Sequence, residues 1–271
     1  MAIGTIGMVK FGSDFTCTYP EATVPSATRD ELLGGGLCLI GVNEGSLIDT
    51  VDESGGVLDV TTDTGDNDNQ VIYAGTFLPG DGGMWMEARF KITDSVATVR
   101  AAVFCGLTET LAKDTPVMPF ERATATNTFN GTGAMLGVAF DSDSTLLEFF
   151  AIAGDAAAGI ACTNKNGTAV ATGVQQLTGA AGVPGGTIAT ADRYYIVRVE
   201  LDAGRQGRVY FGDYDGGDSL TKPLNLVLTT TTLMQNELYH AVLMIENRSG
   251  ANERLEVDYF FGEAGRQWAA N

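Results

Sequence analysis

Between Met84 and Ile92 the side chains alternate without a break: Met84, Met86, Ala88, Phe90 and Ile92 fall on one side, Trp85, Glu87, Arg89 and Lys91 on the other. Successive Cβ atoms of a strand point to opposite faces of its sheet, so a period of two marks a strand with one face in a core and one in water. Similar runs recur at residues 99–107, 146–153, 195–201, 239–245 and 255–261, with shorter ones at 37–42, 56–61 and 71–77. Clean alternation belongs to antiparallel sheets wetted on one side. Many such strands separated by turn residues predict an all-β chain, folded as an antiparallel β-sandwich.

The 271 residues suit one large β domain, and a hydrophobic fraction of 44% is enough to fill its core. The 35 glycines and 7 prolines show no Gly-X-Y period and are spent on turns. Charge constrains partners more sharply. Thirty-four acidic residues against 16 basic give a formal charge of −18, a field that repels phosphate backbones and anionic bilayers, so nucleic acid and membrane are excluded as partners. Basic surfaces, divalent cations and neutral glycans stay open, as does acidity that serves only solubility.

Cys17, Cys38, Cys105 and Cys162 are widely spaced, without a Cys-x-x-Cys pair, and are expected to be free thiols rather than a zinc site. The opening residues have no basic start and no hydrophobic segment of signal length, and no stretch of 18 apolar residues occurs. The expectation is a chain made in the cytosol that leaves it only as part of a larger assembly.

Residues 1–34 read as an N-terminal arm and connector, and 35–271 as the sandwich domain. The arm is apolar at Ile3, Ile6, Met8, Val9, Phe11 and Phe15, too greasy to stay in water. It is either the first strand of the sandwich or a docking arm. The one helix signal is at residues 26–33, where Ser26 or Thr28 can cap and Asp30 and Glu31 follow in the first turn. Two long segments, 113–133 and 154–191, read as loops, and loops of that length tend to be functional or interfacial.

Candidate chemistry is sparse. Glu256 and Asp258 project from one strand two residues apart, about 6.5 Å along it, near the spacing a glycosidase needs. Glucanase-type jelly rolls carry a further Glu after such a pair. Here Tyr259, Phe260 and Phe261 fill those slots and Glu263 comes too late, so a hydrolase lacks one required partner. Asp63, Asp66 and Asp68, and again Asp213, Asp215 and Asp218, have the oxygen-rich composition of calcium loops and equally of ordinary hairpin turns. His240 is the only histidine and shares a strand face with Val242 and Met244. No Gly-x-Ser-x-Gly elbow or phosphate-binding glycine motif is present. Trp85 and Tyr210 lie on the polar side of their strands by parity, as a sugar-stacking platform or as interface cover.

The succession GGMWMEARFKITD, VRAAVFCGLTET, GAMLGVAFDSDSTLLEFFAIAG, YYIVRVELDAGRQGRVYFGD and ELYHAVLMIENRSGANERLEVDYFFG resembles the strand order of concanavalin A-like jelly rolls. Among these it is most similar to lectin-like domains of tailed-phage virion proteins, over about residues 35–263. The resemblance implies a non-enzymatic structural protein that decorates and stabilises a capsid. It would need no cofactor, would sit on the virion surface as a dimer or trimer, and would have the major capsid protein as its partner. Lys10, Phe11, Phe15 and Tyr19 of the arm are then the expected docking residues. A glycan-binding module of a head or tail fibre is the alternative, and a polysaccharide hydrolase or lyase the third reading.

Overall fold

The computed structural model describes residues 6–15, 22–23, 31–41, 47–51, 56–93, 100–112, 115–130, 133–155, 158–177, 193–214, 224–248, 250 and 252–267. Among the described residues twenty-two strands run in the order β1 (Ile6–Ser13), β2 (Ala22–Thr23), β3 (Glu31–Gly34), β4 (Leu37–Gly41), β5 (Leu47–Val51), β6 (Val57–Thr61), β7 (Asn69–Phe77), β8 (Met84–Ile92), β9 (Ala101–Thr108), β10 (Phe120–Ala123) and β11 (Thr126–Phe129). They continue with β12 (Met135–Asp141), β13 (Phe150–Asp155), β14 (Ala158–Gly159), β15 (Cys162–Asn164), β16 (Ala169–Val170), β17 (Val174–Gln176), β18 (Tyr194–Leu201), β19 (Gly207–Tyr214), β20 (Asn225–Thr230), β21 (Tyr239–Asn247) and β22 (Arg254–Gln267). Helix among the described residues is limited to a 3-10 turn at Pro79–Asp81.

An eleven-stranded sheet has the order β16-β15-β20-β19-β18-β8-β22-β6-β5-β2, with β1 on β22. A nine-stranded sheet has the order β14-β13-β12-β9-β21-β7-β4-β3, with β17 on β13. Every registered pairing is antiparallel, and strands far apart in sequence are neighbours, such as β8 with β18 and β22. Between the sheets lies one core fed by the apolar parity of each strand. Its anchor is Phe149, just before β13, whose ring stands 4.6 Å from Tyr195, 5.2 Å from Phe211 and 5.6 Å from Phe140. Tilted aromatic contacts at these distances add to the burial itself.

The nine-stranded sheet also hides its outer face. Phe104, Met135, Phe150, Ile152, Val242 and Met244 form a second core there, closed by Met118 and Phe120. This corrects the reading of 113–133 as a plain loop, because it contains the β10–β11 hairpin, folded onto that face with Phe120 edge-on to Phe129 at 5.3 Å. Likewise 154–191 contributes β14 to β17.

The N-terminal residues are strands of the same sandwich where they are described. β1 lies along β22 from Ile6↔Gln267 to Ser13↔Phe260, and the β3–β4 hairpin spans the 34/35 position. Gly12 adopts φ +137°, and a Cβ there would fall 2.4 Å from the Phe260 carbonyl, so only glycine lets β1 approach. The expected helix at 26–33 is a correction too. Glu31, Leu32 and Leu33 are in β3 and Leu33 is buried, because a strand partner and a core contact outweigh weak local capping preference; Ser26 to Asp30 lie outside the described residues.

Candidate binding face

The eleven-stranded sheet turns the polar half of its alternating strands outward, and the register lines these side chains up in rows. The first row crosses β1, β22, β8, β18 and β19 as Lys10, Glu263, Trp85, Glu200 and Arg208. Next to it come Phe261, Glu87, Arg198 and Tyr210, and then Tyr259, Arg89 and Ile196. The fourth holds Glu256 and Lys91, with the Lys91 Nζ 5.1 Å from the Tyr194 ring centre.

A β-bulge decides which side β22 shows. Its register on β8 shifts between Val257 and Tyr259, leaving Asp258 as the extra residue and reversing parity beyond it. Leu255 and Val257 point inward, and after the bulge so does Phe260, which is fully buried while Phe261 is 38% exposed.

Each carboxylate of the face among the described side chains is engaged. Glu263 meets Lys10 at 2.8 Å, Asp258 meets Arg89 at 2.7 Å and Glu256 meets Lys91 at 2.6 Å. Glu87 accepts the Tyr259 hydroxyl at 2.8 Å and lies 3.6 Å from Arg198. Arg198 Nε donates to Glu200 at 2.8 Å, Tyr210 donates to the same carboxylate at 3.2 Å, and Arg208 stands 3.6 Å from Asp202. Lys10 holds the Glu263 carboxyl below its ordinary range, while burial and then Glu200 push the Tyr210 phenol up. Opposite charges beside a carboxylate favour its ionised form. The described carboxylates of this face thus stand in pairs with cations or a phenol. At the end of the first row Trp85, Glu200, Asp202, Arg208 and Glu263 line an open pocket of about 200 Å³ with Gly82 and Gly83.

Of the residues singled out from sequence, Trp85 and Tyr210 are on this face, and Arg198 lies 4.6 Å over the Trp85 ring. Glu256 and Asp258 are there as ion-pair members. Lys10 is exposed at its rim. Phe11 and Phe15 are instead interior, 5% and 1% exposed, with Phe11 stacked on Phe77 at 5.2 Å; Tyr19 lies outside the described residues. His240 is on the outer side of the nine-stranded sheet, edge-on to Tyr73 at 6.0 Å, and burial lowers its pKa. Among the described residues no group of three or more His, Cys, Asp or Glu could hold a metal ion; Asp63 accepts the Thr64 N–H, Asp68 is buried, and Asp215 and Asp218 are not described. Cys38, Cys105 and Cys162 are free thiols, Cys162 pushed up to about 12 by burial; Cys17 is outside the described residues.

Sequence reasoning passed over a second charged group, at the rim of the nine-stranded sheet. Arg248 is bonded to Glu121 at 3.1 Å, Asp141 at 3.2 Å and Glu246 at 2.8 Å. Burial is the main cause that pushes Glu246 up to about 7, against the pull of Arg248 and Asn69. Asn69 also donates to the Pro116 carbonyl at 2.6 Å, so the cluster clamps the β10–β11 segment over the second core. These residues come from strands far apart in sequence, and no local motif announces them.

No family model matches the chain, nor does any curated protein. Among solved structures, a protein of unknown function from Shewanella oneidensis MR-1 superposes with a TM-score of 0.57 at 12% identity, over 97% of this chain and 88% of that one. Peanut lectin gives 0.49 at 11%, over 97% and 100%. The kappa-carrageenase from Pseudoalteromonas carrageenovora, in complex with an oligotetrasaccharide of kappa-carrageenan, gives 0.46 at 12%, over 98% of each chain. At such identities the likeness concerns fold alone, and the sheet order above is that of an antiparallel β-sandwich.

Proposed function

We propose that this protein is a non-enzymatic structural protein of a phage virion, which decorates the capsid and works through protein contacts made by the outer face of its eleven-stranded sheet. The observation that carries the reading is the pairing of the described carboxylates on that face with a cation or phenol. What remains is a broad surface of Arg, Tyr and Trp, the residue types that dominate protein interfaces. The strand succession similar to phage virion proteins supports the same reading, and a shell that binds such a cover in its assembled state gains stability by mass action. The test is add-back of labelled protein to shells from which it has been dissociated. Wild type should bind and raise the temperature at which shells open; a variant with Trp85→Ala and Tyr210→Ala should lose at least about tenfold in affinity. Shells that ignore the wild-type protein would overturn the proposal.

One observation favours glycan binding as a second reading, namely the open pocket beside Trp85, whose ring and polar rim suit a sugar. Saturation-transfer NMR with neutral hexoses, lost on Trp85→Ala, would support it.

A further inference from the structure

The geometry points to a second copy of this chain as an occupant of the outer face, in a two-fold dimer whose axis runs along the strands between β8 and β18. This rests on reading that face as a protein-contact surface, and names what covers it in the free protein before a shell takes its place. Two copies of a chain with formal charge −18 repel almost everywhere. Here they do not. The cations Lys10, Arg89, Lys91, Arg198 and Arg208 answer the carboxylates Glu87, Glu200, Asp202, Glu256, Asp258 and Glu263 on the same face. Among the described side chains of these rows that leaves a balance of one negative charge. Arg254 and Asp59, paired at the rim, do not alter it.

The order of the rows makes the face complementary to itself. A two-fold axis in the interface plane, parallel to the strands, keeps each row opposite its own copy and reverses its direction across the sheet. With the axis between β8 and β18, β22 of one copy faces β19 of the other, and β8 faces β18. Glu263 then meets the second copy's Arg208, Glu87 meets its Arg198 and Phe261 meets its Tyr210. Each contact occurs twice, as an isologous interface demands, and no row sets like charges opposite each other. An axis placed on β8 itself would set Glu263 against the second copy's Glu200, so charge selects the seam. Five strands about 4.8 Å apart and about 28 Å long offer a patch of about 670 Å², toward the lower end of what a specific interface buries per partner.

Sedimentation velocity and light scattering at about 100 µM protein should give twice the 28.4 kDa chain mass. Arg208→Glu and Glu263→Arg should each weaken association at least about tenfold, and the two together should restore it to within about threefold. Circular dichroism checks that each variant keeps its sheet. A single-chain mass for the wild type, or single variants that dimerise as well as it does, would overturn the dimer. The same preparations go into the shell-binding assay: a monomer that binds shells sinks the dimer alone, whereas a dimer that ignores them sinks capsid decoration alone.

Discussion

The Arg198 guanidinium lies 4.6 Å over the Trp85 ring while its Nε donates to Glu200 at 2.8 Å, so one cation joins the aromatic and the acidic members of the face. Desolvation on one side and a carboxylate on the other make the contact stronger than an exposed pair. A double-mutant cycle of Trp85→Ala and Arg198→Ala, read by urea unfolding, should give a coupling of about 1 kcal/mol. Strict additivity would show that the stacking does not contribute.

Phe260 and Phe261 are adjacent aromatics with opposite surroundings, fully buried and 38% exposed respectively. Phe260→Ala removes a ring from the core and should cost about 3–5 kcal/mol of stability, whereas Phe261→Ala should stay within about 1 kcal/mol. Chemical denaturation of the two variants measures the contrast, and equal losses would contradict the bulge.

β1 is part of the sandwich, with Phe11 5% exposed against Phe77 and Phe260. Removing residues 1–13 should therefore lower the melting temperature by about 10 °C or more, and Phe11→Ala alone should cost about 3 kcal/mol. A truncated chain that melts with the full one would assign β1 a role outside the core.

Glu246 predicts a pH dependence with a definite sign. Its folded pKa of about 7 lies above the ordinary 4.5, so the native state holds a proton that the unfolded chain has released. Stability is full below about pH 4.5 and declines as pH rises through 7. The span is up to about 3 kcal/mol. The surrounding charges are Arg248, Glu121 and Asp141, with Arg122 bonded to Asp141 through its backbone N–H. Melting curves from pH 5.5 to 8 should fall by several degrees for wild type and flatten in Glu246→Gln. An unchanged slope in the variant would place the titration elsewhere.

Much of this could be read from sequence, for an identifiable reason. Met84–Ile92 is a strand from its first residue to its last, because a period of two is a local consequence of one face being buried. The outward placement of Trp85 and Tyr210 followed from the same parity. The N-terminal segment was open to two readings and residues 26–33 carried a helix signal that β3 overturned, since β1 and β3 are strands only by virtue of β22 and β4, which follow them in the chain.

Alternation and composition by themselves settled the all-β class, the antiparallel sandwich and the acidic exterior, since these depend on which side chains water rejects and on how charges sum. Tertiary structure decided which strands are neighbours, and hence that Glu87, Arg198, Trp85 and Glu200 share one surface. It also decided the parity of β22, because one unpaired residue at Asp258 reverses every side chain after it. Pairing between distant strands is a property of register, which a chain acquires only when both partners are in place.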